Sequence, residues 1–265
     1  MQKVNKDILD IPDILTLEPK RGKSRSVVFK NNIDATNYVD EKNSYKVASV
    51  QKRLTELYHL KCAYCEQKLL DSPKHIEHYR PKSIYYWLAY SWDNLFLCCG
   101  NCNSAKGNRF KILNNRVDYD NEKFENIHNL GEDYDEEEKP LIINPEKENI
   151  IDEVLYDKDG IVSSSNNRVQ YTIEKACNLN RNELVSKRQE IITDFINSFN
   201  RHLEHFKTKG DLSRFEPEIE SFIEKRDEKE SFYTFRYFIL NNLDVFFKEK
   251  SKLKILDIII KRIKK

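Results

Sequence analysis

Val47, Val50, Leu54, Leu57 and Tyr58 recur three to four residues apart, which predicts an amphipathic helix within about 34–60. A longer helical period begins beyond Val169 and is carried by Leu184, Ile191, Phe195, Phe199, Leu203 and Phe206. Asn180, with Glu183 three positions on, reads as the capping box that starts it. Two more helical stretches follow, at roughly 215–248 and 251–263. Ahead of these, Leu141-Ile142-Ile143-Asn144-Pro145, Val154-Leu155-Tyr156 and Ile161-Val162 read as short strands, with Asp159-Gly160 as a hairpin turn. Residues 1–33 mix prolines, cations and short apolar clusters without a sustained period, and predict an arm or a short strand pair. The acidic stretch 116–140 reads as a loop covering a helix. No internal repeat or low-complexity linker interrupts the pattern.

Composition narrows the class. The chain has 265 residues, 39% hydrophobic and 34% charged, enough for a core beneath a densely charged surface. No apolar run approaches the roughly 20 residues needed to span a bilayer. Met1–Pro12 is interrupted by Lys3, Lys6, Asp7 and Asp10, so no secretory leader is read there and a cytoplasmic, reducing compartment is expected. The formal net charge of +1 excludes no partner. Its distribution is uneven: Lys20–Lys30 and Lys248–Lys265 are basic, and Asp118–Glu138 is acidic.

Six cysteines are where chemistry enters. Cys62-Ala-Tyr-Cys65 and Cys99-Gly-Asn-Cys102 are two C-x2-C knuckles, each a turn that can present two sulfurs to one tetrahedral zinc ion, with Cys98 and Cys177 left over. His59 and His75 lie near enough to compete as ligands, although four cysteines already fill the shell. Between the knuckles stands Glu77-His78. The carboxylate offers a hard oxygen to a divalent cation, and the imidazole can take a proton from water at neutral pH. Consecutive residues of a strand face opposite ways, so both reach one pocket only if the chain kinks. Tyr85, Tyr86, Trp87, Tyr90 and Trp92 could stack on bases; core packing around the zinc is the preferred reading.

Cys-x2-Cys, Glu-His-x2-Pro, Asn-Leu-x-Leu and Cys-x2-Cys-Asn-x2-Lys-Gly, over about 61–110, resemble the HNH nuclease motif in its zinc-stapled form. The resemblance implies two antiparallel strands and a helix around one catalytic metal. His78 is then the general base, Glu77 and Asn103 ligands of magnesium or manganese, and Asn94 the residue that orients the His78 loop; Cys62, Cys65, Cys99 and Cys102 hold structural zinc. Two positions depart from the family pattern: Glu77 stands where Asp is frequent and Asn103 where His is frequent, and Gly107 occupies a position that carries a histidine ligand in some members. Arg80, Lys82, Lys106 and Arg109 flank the site and are the candidate phosphate contacts.

The likeness extends over most of 60–190. Tyr86-Trp87-Leu88-Ala89-Tyr90, Asn144-Pro145, Asp159-Gly160 and Leu179-Asn180-Arg181 look like the PtuB-type subfamily, the nuclease subunits of Septu and retron anti-phage systems. It implies an ABC/SMC-like ATPase partner of the PtuA type and, in retrons, a reverse transcriptase with its multicopy DNA. No G-x4-G-K-[ST] occurs in this chain, so nucleotide hydrolysis would be the partner's. The expected architecture is mostly helical α+β: an N-terminal arm and helix (1–60), a zinc-stapled ββα-metal core (61–115), and an acidic loop, small β region and helical C-terminal region for partner docking (116–265). The expected activity is metal-dependent hydrolysis of nucleic acid, DNA favoured. The alternative is a non-catalytic zinc module that binds nucleic acid or protein.

Overall fold

A computed structural model of the chain describes residues 1–16, 25–210, 215–225 and 227–263. Of the basic run Lys20–Lys30, residues 20–24 lie outside the described residues, as do 264–265 of the basic C-terminus.

The centre is built from a two-stranded antiparallel sheet. Strand β1 (Lys74–His78) pairs with β2 (Leu95–Cys99) in a register that sets Lys74 opposite Cys99 and His78 opposite Leu95. Every residue of β2 is buried, which explains its unbroken apolar run, and Phe96 packs against Tyr58, Tyr64 and Tyr79. Helix α3 (Gly100–Lys106) follows β2 directly, packs on both strands and ends at Gly107, whose φ of 45° stops the helix. Two strands and a helix thus form one compact unit, covered from the other side by α2 (Ala48–Leu57), whose Val50 and Leu54 are buried.

The N-terminal region is helical rather than a strand pair. Short 3-10 turns at Ile8–Asp10 and Asp13–Leu15 precede α1 (Arg25–Asp34). The reason lies in Lys6: its buried ammonium donates to the carbonyls of Trp92 (2.6 Å) and Leu95 (2.8 Å) and pairs with Glu146 (2.7 Å), so a side chain rather than a strand edge docks this arm on the core. Of the predicted 34–60 helix only α2 forms. Asp40 closes a turn before it, accepting from the Ser44 N–H at 2.5 Å.

After α3 the chain runs through the acidic stretch into α4 (Gly131–Glu138). The Gly131 N–H meets Asp93 Oδ2 at 2.8 Å, and a Cβ there would lie 2.7 Å from that oxygen. Leu141–Asn144 forms no strand. Pro140 and Pro145 bracket it, and its backbone is claimed by side chains: Tyr79 Oη donates to the Ile142 carbonyl (3.0 Å), and the Ile143 N–H donates to Thr172 Oγ1 (2.9 Å). The Asp-Gly hairpin does form, as β3 (Leu155–Tyr156) and β4 (Val162–Ser163), with Gly160 at φ 78°.

A short helix α5 (Asn167–Tyr171) leads to α6 (Asn182–Lys209), 28 residues ended by Gly210 in the left-handed region. Its predicted capping box is absent. Asn180 instead clasps β4, accepting from the Val162 N–H (2.9 Å) and donating to its carbonyl (2.8 Å), while Glu183 bonds Asn101 (2.7 Å). Leu184, Ile192, Phe195, Phe199 and Leu203 make the buried face of α6. Against it lies α7 (Phe215–Glu224), with the Phe195 and Phe222 rings stacked at 4.1 Å; α8 (Tyr233–Asn241), which runs into α9 (Leu243–Phe246), and α10 (Lys250–Ile263) pack on α7. The chain is therefore mostly helical α+β. Among the described residues no helix is long and apolar enough to cross a membrane.

Candidate active site

The two knuckles converge. Cys62 and Cys65 sit in the turn closed by the Lys61–Lys68 bridge, Cys99 ends β2, and Cys102 lies in the first turn of α3. All four are buried and their Sγ atoms lie within 4.8 Å of one another. A tetrahedron with zinc–sulfur bonds of about 2.3 Å has edges of about 3.8 Å, and the Cys65–Cys99 pair stands at 3.8 Å. Arg181, ahead of α6, aims its guanidinium at two of these sulfurs, Nη1 to Cys102 at 3.4 Å and Nη2 to Cys99 at 3.7 Å. Burial works against that guanidinium's charge, but the cysteine thiolates beside it outweigh burial and raise its pKa. The set fits a zinc tetrathiolate with a cationic neighbour. His59 is exposed and outside the cluster. Cys98 Sγ lies 3.6 Å from Cys62, and Cys177 is buried.

On the open end of β1 a cavity of about 260 Å³ holds Glu77 and His78 together with Asn103 from α3. Alternation along a strand would separate the two consecutive side chains; His78 is the last paired residue, and the cavity wraps the strand's end so that both line it. The His78 ring is fixed on two sides. Nε2 lies 3.0 Å from the Ala89 carbonyl, which can only accept, so Nε2 carries the proton and Nδ1 the lone pair. Tyr45 packs edge-on against the imidazole with centroids 4.4 Å apart. Burial, reinforced by Lys82, Lys106 and Lys46, lowers the His78 pKa to about 3, so the ring is neutral at physiological pH.

Asn94 is buried and bonded to backbone at every polar atom. Oδ1 accepts from the Arg80 N–H (2.7 Å), and Nδ2 donates to the carbonyls of Arg80 and Leu88 (both 3.1 Å). It ties together the two segments that bracket His78. Glu77 receives the Lys106 ammonium at 3.0 Å; burial raises its pKa and Lys106 opposes the shift.

Two of the four cations expected at phosphate are not on the surface. Lys106 is fully buried, spent on Glu77 and on the His78 carbonyl (2.6 Å). Arg80 is 1% exposed and pairs through Nε with Glu138 (2.9 Å) and through Nη2 with Asp135 (2.7 Å), among the rings of Tyr79, Tyr85, Phe110 and Tyr134. The acidic stretch explains both the burial and the partners: α4 brings its carboxylates down onto Arg80. Lys82 lines the cavity, and Arg109 is exposed beyond α3. The aromatic cluster is core as expected, with Tyr85, Trp87, Tyr90 and Trp92 buried.

Four residues are new to this cavity: Asn43, Tyr45, Lys46 and His75. His75 lines the cavity rather than the thiolates; period-two alternation, which puts residues 75 and 77 on one strand face, is the signal that could have placed it. Asn43 and Lys46 come from the turn before α2, and no local motif marks them.

Comparison with known proteins agrees with this geometry. Residues 62–109 match the HNH endonuclease family. The chain is 31% identical to Septu protein PtuB of Bacillus mycoides over 170 residues, 57% of this chain and 53% of that protein. It is 36% identical over 75 residues to Septu protein PtuB of Bacillus thuringiensis, 26% of this chain and 29% of that one. It is also 26% identical over 161 residues to Septu protein PtuA of Bacillus mycoides, 56% of this chain and 21% of that protein. The chain thus spans about half the length of the first relative and less of the other two. The buried four-cysteine cluster and the Glu-His pair facing one cavity thus lie in the segment that is similar to HNH endonucleases, within a stretch that is similar to PtuB-type Septu proteins.

Proposed function

We propose that the cavity hydrolyses phosphodiester bonds of nucleic acid, DNA in the first instance, as the effector of a Septu-type anti-phage system. The observation that carries this reading is the His78 ring: its Nε2 is committed to Ala89, so its lone pair is kept on Nδ1, and His78 lines the cavity with Glu77 and Asn103. Glu77 and Asn103 would hold a divalent cation, with the His75 imidazole in the same cavity as a further donor. One carboxylate and one amide suit a hard ion that keeps waters and takes substrate oxygens, magnesium or manganese rather than zinc. Such an ion supplies electrostatic stabilisation of the charge that develops on the phosphorane and the leaving 3′ oxygen. His78 Nδ1 accepts the proton of the attacking water. A docked phosphate, opposite in sign to Lys46 and Lys82, raises the depressed basicity of the ring as the substrate binds. Asn94 and Tyr45 keep the imidazole from turning.

Similarity to both PtuA and PtuB of one Bacillus mycoides strain supports a PtuA-type ATPase as partner. The helical region beyond residue 116 is the docking surface we assign to it. Segment 228–234 is part of the knuckle itself: Glu66 accepts from the Thr234 N–H at 2.9 Å, and Lys68 pairs with Glu230 at 2.8 Å. Partner binding is therefore to be measured on the full chain, since truncation near residue 170 strips the thiolate cluster of Arg181 and of this segment. A reverse-transcriptase gene beside this one would move the assignment to the retron context.

The test is plasmid nicking by purified protein with magnesium or manganese. His78→Ala is expected to lower the rate by about 10² to 10⁴, the usual weight of general acid–base catalysis, and Glu77→Gln to lower it by weakening the hold on the divalent cation, with zinc content unchanged in both. Nicking that survives both substitutions, or that needs no divalent cation, would overturn the assignment, and no nicking by the unaltered protein would leave the non-catalytic zinc module.

A further inference from the structure

We propose that Lys46 and Lys82 form a phosphate seat in the same cavity, taking a backbone phosphate adjacent to the one cleaved, so that the binding site extends into the turn 40–46, upstream of the family-matched residues. This rests on the nuclease reading above and adds to it the residues that grip the polyanion. The need is electrostatic. A protein that binds nucleic acid must offer cations that are not already neutralised, and Arg80 and Lys106 are consumed inside the protein by Glu138, Asp135 and Glu77.

Lys46 and Lys82 are in the opposite condition. Among the described residues neither has a carboxylate within ion-pair distance. Asp40, the acid whose charge reaches Lys82, is committed to the Ser44 N–H, the Ser44 hydroxyl (3.2 Å) and the Tyr90 hydroxyl (3.0 Å). The Lys82 ammonium stands 3.5 Å over the Tyr38 ring and donates to Asn43 Oδ1 at 3.4 Å, contacts that hold it in place without neutralising it. Burial, then the like charge of Lys46, lowers its pKa, the mark of an ammonium short of a counter-charge. The Lys46 ammonium is 5.7 Å from the Tyr45 ring, the same ring that packs edge-on against His78. Lys82 is partly buried and Lys46 is an exposed like charge beside it, so the pair lacks a counter-charge until an anion joins it, and a phosphodiester is the anion the neighbouring chemistry calls for.

The seat is also pre-built. Asn43 takes the left-handed conformation at φ 48°, the Asn43 N–H bonds the Asp40 carbonyl (2.9 Å), and the Lys46 N–H bonds the Asn43 carbonyl (2.8 Å). Little ordering of this turn remains to be done when substrate arrives.

The experiment is fluorescence anisotropy with a labelled 20-nucleotide single strand and the matching duplex, without added divalent cation, from 25 to 300 mM KCl. The double variant Lys46→Gln, Lys82→Gln, which empties the one seat, is expected to reduce the slope of log K against log salt by about 0.9 on the duplex and about 0.7 on the single strand, and each single variant by part of that, with melting temperature retained. Lys158→Gln, on the distant β3–β4 turn, serves as the reference for general surface charge. An unchanged slope in the double variant, or an equal loss from Lys158→Gln, overturns the seat. Because no cleavage is involved, the two readings separate. A lost slope in a protein that never nicks keeps the seat and sinks the nuclease; an unchanged slope in a protein that nicks through His78 does the reverse.

Discussion

Two polar centres lie side by side in this chain and are built on opposite plans. The thiolate cluster draws its four ligands from two short knuckles and is buried at every position. The cavity draws its donors from the turn before α2, the end of β1, the Pro81-Lys82 loop and both ends of the segment 103–108, and opens to solvent with about 260 Å³ to fill. A closed shell of soft ligands holds structure, whereas an incomplete shell of hard ligands leaves room for water and substrate. The contrast implies that damage to the first centre appears as lost folding and damage to the second as lost chemistry.

The strongest way to break that contrast is at the thiolates. Structural zinc in isolated fingers supplies about 10–16 kcal/mol, as much as the roughly 5–15 kcal/mol that stabilises a whole domain. Cys98 offers a substitute sulfur 3.6 Å from Cys62, so the clean variant is Cys62→Ser with Cys98→Ser. It is expected to be insoluble, or to bind no zinc and melt without a cooperative transition by near-ultraviolet circular dichroism. A soluble, cooperatively folding, zinc-free double variant would show that the cluster is not what holds β1, β2 and α3 together.

Arg80 probes the boundary between the two plans, since it sits in the segment similar to HNH endonucleases yet is wholly internal. Arg80→Met removes the cation that Glu138, itself fully buried, faces at 2.9 Å. Glu138 keeps only neutral donors, Tyr85 Oη at 2.6 Å and the Val117 N–H at 3.1 Å. Orphaning one member of a buried pair costs about 3–5 kcal/mol, expected as a fall in melting temperature of about 10 °C for a chain this size. Adding Glu138→Gln should recover part of it. An unshifted Arg80→Met would mean that this arginine is available to substrate after all.

How far each centre was legible in sequence follows from the same contrast. Ligands three residues apart are set by one turn, so the four cysteines could be read from spacing, and the Glu-His pair from its resemblance to a motif. The helices beyond Asn182 were legible because their apolar period is long; their start was not, because Asn180 found a better partner in Val162 than in its own helix. Arg80 and Lys106 were misread because charge in a sequence carries no sign of whether a carboxylate will be brought to it from 58 residues away, as Glu138 is, or from 29, as Glu77 is. Lys46 was missed for the same reason in reverse: nothing local reports that a turn ahead of α2 will face the end of β1.

The smallest expected effect concerns Arg181, the contact by which the C-terminal region touches the thiolates. Its guanidinium reaches Cys102 and Cys99 without being a ligand of any ion, so it acts on the cluster only through charge and hydrogen bonding. A tetrathiolate around a divalent ion carries net negative charge, and a cation at 3.4 Å stabilises the thiolate form against protonation and exchange. Outer partners of metal ligands typically contribute 10- to 100-fold in metal affinity. Arg181→Gln is therefore expected to release zinc to a colorimetric chelator about ten times faster, with folding cooperativity kept and Arg181→Lys intermediate because it restores charge without the two-pronged contact. Release at the same rate in all three proteins would mean that the cluster is self-sufficient, and that the C-terminal region rests on the knuckles without tuning them.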